Sequence, residues 1–224
     1  MNTAHALERV RPAVHRPTYQ RTMFRLGFLA SHRGTNMQAV IDACRAGRIP
    51  AQPVVVISNN RLSGALKRAA AADIDGYHLS SKTHPDPAHL DTAILQALRK
   101  HKVDLVILTG YLKKIGPKTL PGYRGRIINI HPSLLPKYGG PGMYGLRIHE
   151  AVLAARERTT GVTIHRVEGA YDEGAVLAQN LVPVKTDDTP ESLAARVLEV
   201  EHTLLVETVR KIAKGEIPIA HTSR

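Results

Sequence analysis

Tryptophan is absent and phenylalanine occurs only twice, and no zinc-knuckle spacing is present, so the aromatic and metal signatures of a dedicated nucleic-acid module are missing. Cys44 is the single cysteine, which excludes an intrachain disulfide and fits a reducing, cytoplasmic setting. No apolar run approaches the ~20 residues that span a bilayer, so no membrane partner is expected. The first residues have no apolar core and therefore do not form a secretory signal. Neither Gly-x-Gly-x-x-Gly nor a Walker loop occurs, which removes the usual dinucleotide and nucleotide fingerprints. No two histidines stand at i, i+4, and His131 and His165 lack partners at metal-ligand spacing, so no metal is expected.

Acidic side chains are also scarce: 19 Asp and Glu stand against 31 Lys and Arg, for a formal charge of +12. Residues 1–25 carry Arg9, Arg11, Arg16, Arg21 and Arg25 against Glu8 alone, so this leader supplies +4 and the rest of the chain +8. Residues 1–22 are read as a basic, disordered leader, or as the product of an upstream start with Met23 beginning the working domain. Residues 23–217 are read as one domain and 218–224 as a tail. The remaining basic excess suits a polyanionic partner or a phosphorylated substrate.

What is there is a regular alternation. Phe24 to Ala30 reads as a strand, Ser31 to Asn36 as a polar turn, and Met37, Val40, Ile41 and Cys44 as the apolar face of a helix, with Cys44 a small buried hydrophobe. Thr35 with Gln38 fits a capping box at the start of that helix. A strand, a small polar turn and a helix N-terminus make an anion site, because free amides and the positive dipole end face one point; Arg33 adds a cation. Pro53–Ser58 reads as a second strand, Ala65–Ala72 as a helix, and Tyr77–Leu79 as a short strand. Asp86-Pro87 caps a helix with Leu90, Ile94, Leu95 and Leu98 inward. Val103–Leu108 is a strong buried strand, followed by the Thr109–Ile115 segment. Strands and helices alternating at this spacing predict an α/β fold, a doubly wound, mostly parallel but mixed sheet flanked by helices. Ligands in such sheets bind beyond the carboxyl ends of strands, so 31–36, 109–115 and 129–138 are expected to converge on one crevice.

The centre of the chain is Ile127-Ile128-Asn129-Ile130-His131-Pro132-Ser133-Leu134-Leu135-Pro136-Lys137-Tyr138. Its first half is a β-branched strand, which Pro132 stops by removing a ladder donor. Asn129 and His131, two apart, point to the same side. Downstream, Lys137 to Gly145 is a Gly-rich loop and Ile148–Ala155 a helix. Gly161–Val167 alternates as a half-exposed strand, and Glu168 to Gly174 is an acidic loop containing Asp172. Val176–Val184 follows a short connection and is expected to run antiparallel to its neighbour. A long helix capped at Thr189 ends the domain.

Asn129-x-His131-Pro132-Ser133-Leu134-Leu135-Pro136, with Asp172 in a Tyr-Asp-Glu-Gly turn, resembles the family of formyltransferases that use 10-formyltetrahydrofolate. Gly34-Thr35-Asn36-Met37-Gln38-Ala39, Val106 to Ile115, Gly161 to His165 and Glu201-His202 extend the likeness over about residues 24–217. The resemblance implies a formyltransferase-like variant of the Rossmann sheet and 10-formyltetrahydrofolate as co-substrate. It also implies, within the family, direct transfer to the amine of glycinamide ribonucleotide in purine synthesis. The acceptor is then a small molecule with a ribose phosphate, and the protein a monomer or homodimer. By position, Asn129, His131 and Asp172 are the implied catalytic set: Asn129 donates to the formyl group, His131 as an imidazolium stabilises the oxyanion, and Asp172 raises the His131 pKa. Arg33, Gly34, Thr35 and Asn36 are implied to hold the phosphate, and Glu201 the amine. Tyr111, Leu112, Lys113, Lys114, Ile115 and Asn129 are implied to line the folate site. His32-Arg33, Pro87, Gly139–Gly145 and Glu173 depart from the commoner family pattern. Another small amine such as an amino sugar, or a non-enzymatic anion or nucleic-acid binder, are the competing readings.

Overall fold

The computed structural model describes residues 23–220; the basic leader over 1–22 and residues 221–224 lie outside the described residues. The chain order is β1 (Phe24–Leu29), α1 (Thr35–Arg45), β2 (Ala51–Ser58), α2 (Gly64–Ala71), β3 (Asp75–His78), α3 (Pro87–Lys100), β4 (Leu105–Leu108), α4 (Thr119–Gly122), β5 (Ile127–His131), α5 (Leu146–Ala154), β6 (Thr159–Arg166), β7 (Val176–Pro183) and α6 (Pro190–Ala213). The strands form one seven-stranded sheet in the order β3-β2-β1-β4-β5-β6-β7. β1 to β5 run parallel, and β6 and β7 add antiparallel, giving the mixed sheet expected from the alternation.

Strand side chains alternate between two buried layers, which is why the parallel strands read as continuous apolar runs. Leu26, Phe28, Leu105, Ile107, Ile128 and Ile130 face the layer filled by α1, α5 and α6. Leu29, Val106, Leu108 and Ile127 face the layer filled by α3. Each such fully buried side chain contributes about 1.5–3 kcal/mol relative to exposure. The chain winds outward from β1 through β2 to β3, then returns to place β4 on the other side of β1. The crevice at this reversal, beyond the carboxyl ends of β1 and β4, is where the fold opens.

Two local expectations differ from the structure. The Thr35–Gln38 capping box does not form: Gly34 is the N-cap, in the left-handed region (φ 72), and no side chain caps the helix. Thr35 is therefore already inside the first turn. Gln38 turns away to donate to Asp42 (2.8 Å). Gly34 is required twice over, because a Cβ there would also meet Ala65 of α2 at 2.9 Å. Second, β6 is not half-exposed but buried from Thr160 to His165, since β5 and β7 flank it and Val162 and Ile164 enter the α6 layer. The other side of β6 carries polar residues that are buried because they hold a loop and a site. Residues 218–220 lie against the domain: the Pro218 carbonyl accepts from Arg166 Nη2 (2.8 Å), and Ile219 packs on the core.

Gly161 makes the β5–β7 region tight. A Cβ there would run into the Asn180 carbonyl of β7 and the Leu134 side chain. One is ladder backbone and cannot yield, so Gly161→Ala is expected to cost on the order of 1–3 kcal/mol. Urea unfolding reads this as a lower midpoint at unchanged slope; a midpoint equal to the parent's would mean that β6 and β7 separate freely.

Candidate active site

β5 pairs antiparallel with β6 so that Asn129 lies opposite His165 and His131 opposite Thr163. Ile127, Asn129 and His131 share one face. Ile127 is packed in the α3 layer, whereas Asn129 and His131 open onto a cavity of about 680 Å³ at the strand ends. The loop after β5 is fixed through Thr163: its hydroxyl donates to the Ser133 carbonyl (2.7 Å) and accepts from the Leu135 N–H (3.1 Å). Ser133 Oγ in turn donates to the Lys137 carbonyl (2.8 Å). The Pro-Ser-Leu-Leu-Pro string is thus a brace that carries the chain from β5 round to Tyr138 and Gly140.

Asp172 arrives from the acidic loop after β6, itself in the left-handed region (φ 57) that Asp tolerates better than most residues. Its Oδ2 accepts from the Gly140 N–H (2.9 Å). Its Oδ1 sits 3.4 Å from His131 Nδ1 and accepts from Asn129 Nδ2 at 3.4 Å. Asn129 Nδ2 also lies 3.1 Å from His165 Nε2, while His165 Nδ1 donates to the Arg166 carbonyl (2.8 Å). The amide, the carboxylate and two imidazoles therefore meet in one network.

His131 donates Nε2–H to the Tyr138 carbonyl (2.8 Å) and faces Asp172 with Nδ1. Each ring nitrogen thus has an acceptor, which is the arrangement a cationic imidazole wants. Burial nevertheless outweighs it: desolvation pushes the His131 pKa down, against the pull of Asp172 and the Tyr138 carbonyl. The partners of both nitrogens favour the imidazolium and burial opposes it, with an acceptor in place for the Nε2–H. Burial alone would raise Asp172, but His165, His131 and the Gly140 N–H prevail and hold the carboxyl below its ordinary range.

The opposite wall is the β1–α1 turn. The free amides of the uncapped α1 start border the cavity together with Arg33, Gly34, Thr35 and Asn36. Asn36 Oδ1 is buried and meets no donor among the described residues. Glu201, on α6, is buried beside it, and desolvation raises its carboxyl to about 7 despite a hydrogen bond from Asn36. The third wall is the strand-end segment after β4, where Tyr111, Leu112, Lys113, Lys114 and Ile115 line the cavity. It is tied to the first turn by Ser31, whose Oγ accepts from the Leu112 N–H (2.9 Å) and donates to Asn59 (2.6 Å).

The residues assigned to the site from the sequence, at 33–36, 111–115, 129, 131, 172 and 201, all line this one cavity. A family model described as formyl transferase matches residues 24–209. The chain belongs to the formyl transferase family. It is 38% identical over 194 residues to the chloroplastic phosphoribosylglycinamide formyltransferase of Arabidopsis thaliana, which covers 86% of this chain and 66% of that protein. It is 36% identical over 195 residues to the phosphoribosylglycinamide formyltransferase of Haemophilus influenzae, covering 87% of this chain and 90% of the relative. The chain thus spans just under two thirds of the chloroplastic relative and most of the bacterial one. Among solved structures, glycinamide ribonucleotide transformylase 1 from Symbiobacterium toebii superposes with a TM-score of 0.83 at 38% identity, over 90% of this chain and 92% of that one.

In this member of the family the sequence pattern did not reveal His165, Gly140 or Tyr138 as parts of the site. His165 had a signal, since it follows Thr163 on the polar side of an alternating strand, but only the β5–β6 register sets it across from Asn129. Gly140 and Tyr138 act through backbone atoms, which leave no side-chain trace. Among the described residues no cluster of ligating side chains could hold a metal ion, and no helix is long and apolar enough to cross a membrane.

Proposed function

We propose that this chain transfers the formyl group of 10-formyltetrahydrofolate to the amine of glycinamide ribonucleotide, a step of purine synthesis, with residues 23–217 as the working unit. The observation that carries the reading is the joining of two sites in one cavity: a polar network of Asn129, His131, His165 and Asp172, and an uncapped helix start beside Glu201. A phosphorylated amine and a formyl donor need those two sites at once.

In this reading the phosphate sits on the amides of Gly34, Thr35 and Asn36, with Arg33 at the rim. Glu201 accepts a hydrogen bond from the amine. The pterin and its extension lie against Tyr111 to Ile115, where strand-end backbone supplies donors and acceptors. The amine nitrogen attacks the formyl carbon, and the C–N bond forms while charge collects on the formyl oxygen. The Asn129 amide and the His131 Nε2–H are the donors for that oxygen, exchanging Asp172 and the Tyr138 carbonyl for it. As negative charge grows, the cationic form of His131 becomes favourable, because acceptors already face both nitrogens. Asp172 takes the proton that the amine loses and returns it, through His131 or water, to N10 as the N10–C bond breaks. The assembly in this reading is a monomer or a homodimer. The single cysteine suits a reducing cytoplasm.

An acceptor comparison tests the reading: kcat/KM with glycinamide ribonucleotide is expected to exceed that with amino sugars and their phosphates, and equal or better turnover of an amino sugar would replace the acceptor. Glu201 gives a signed pH effect. A carboxyl titrating near 7 is protonated below that pH and then offers the amine only a neutral, weaker acceptor. The KM for the acceptor is therefore expected to fall as pH rises from about 6 to 8, while Glu201→Gln raises KM and removes the pH dependence. A pH-independent KM in the parent protein would detach Glu201 from the amine.

A further inference from the structure

We propose that the basic recess beside the phosphate turn is a second phosphate subsite, so that the crevice takes a ligand bearing a diphosphate or a second phosphate group. The recess, about 450 Å³, lies between the β1–α1 turn and α2 and is lined by His32, Arg33, Asn60, Ser63, Lys67 and Arg68 among others. It shares His32 and Arg33 with the larger cavity, so the two spaces adjoin at the turn. No carboxylate lines it, and among the described residues none forms an ion pair with Arg33, Lys67 or Arg68. Three cations around one concavity repel each other and concentrate a positive potential that an anion relieves.

The recess is also built in advance. Arg68 Nε donates to the Arg33 carbonyl (3.0 Å) and its Nη1 to Gln38 Oε1 (3.4 Å), which fixes the guanidinium and leaves Nη2 without a partner among the described residues. The Ala65 N–H donates to the His32 carbonyl (3.1 Å). Gly64 lies so close to the turn that a Cβ would meet the Arg33 carbonyl oxygen at 2.7 Å. The turn and the cationic wall therefore move as one unit, and little ordering remains to be done when an anion enters. A planar guanidinium and a flexible ammonium, side by side, suit the oxygens of a phosphate dianion. The proposal rests on the proposed function in one respect: the first phosphate occupies the amides at 34–36.

The test uses the full chain, with orthophosphate and pyrophosphate as probes, read both by calorimetric binding and by inhibition of turnover. Pyrophosphate is expected to compete with the phosphorylated acceptor and to bind about tenfold more tightly than orthophosphate, equivalent to about 1.4 kcal/mol. Lys67 is exposed on α2, so Lys67→Gln leaves the fold, the uninhibited turnover and the acceptor KM unchanged while erasing that preference. Adenosine mono- and diphosphate run in parallel distinguish the source: a Lys67-dependent gain for the nucleotide beyond that of free pyrophosphate makes a nucleotide the ligand, and its absence makes it the inorganic anion. Equal affinities for the two inorganic anions, or a preference that survives Lys67→Gln, would overturn the second subsite. Absence of turnover with glycinamide ribonucleotide would instead strike the proposed function, and the calorimetric comparison would still read the recess.

Discussion

His131→Ala is expected to lower kcat by at least about 10³ with little change in the thermal midpoint, because it removes both a donor to the developing oxyanion and the group that carries the proton. The side chain is buried, yet its loss opens space only at the edge of a cavity already present, so the fold should survive. The neighbours argue the same way. His131 contacts the Tyr138 carbonyl and Asp172, both of which can rehydrate from the cavity. A steady-state assay beside a thermal melt separates the two effects. Turnover within a few-fold of the parent would remove His131 from the chemistry, and a collapsed melt would recast it as a structural residue.

Asp172→Asn is the second large effect, expected to lower kcat by about 10²–10⁴. Asn is nearly isosteric, tolerates the left-handed backbone at this position, and can still accept from the Gly140 N–H. What disappears is charge. Asp172 is the largest influence pulling the His131 pKa up against burial, so its neutralisation moves the His131 titration to lower pH. NMR of the ring resonances reads this shift directly, and an unmoved or raised titration would contradict the coupling. Stability has its own sign. The folded-state pKa of Asp172 is depressed, so its ionised form stabilises the native state above the ordinary carboxyl range, and that stability is lost as pH falls through the depressed value. The variant should therefore show a shallower loss of stability on acidification.

The parts of the fold that were legible from sequence are those with a local cause. β1, β2, β4 and β5 are apolar runs ended by turns, and the period-2 rule alone puts Asn129 and His131 side by side. Asp86 before Pro87 marks α3, and the Asp86 side chain does accept from the Ala88 N–H (2.9 Å). The failures have non-local causes. The Thr35–Gln38 cap was displaced because α2 packs so closely that only a left-handed Gly34 fits between them. β6 was misjudged as half-exposed because its polar side chains alternate, although Thr163 and His165 are buried to brace a loop and to complete a network. The Asp172 neighbour that raises the His131 pKa is visible in a family motif, whereas the depth of burial that lowers it is not. The acidic loop illustrates both sides: Asp172 stood out as a residue type, but its distance from His131 is set by the β5–β6 register and by the Gly140 N–H.

The most direct test of formyl transfer at this site is product stoichiometry in a single assay. Purified full-length protein would be given formyl-labelled 10-formyltetrahydrofolate and glycinamide ribonucleotide, with labelled formylated amine, tetrahydrofolate and free formate quantified together. The expected result is one formylated amine for each tetrahydrofolate released, with no excess formate. Tetrahydrofolate appearing with free formate and no formylated amine would contradict direct transfer between two ligands held in one cavity.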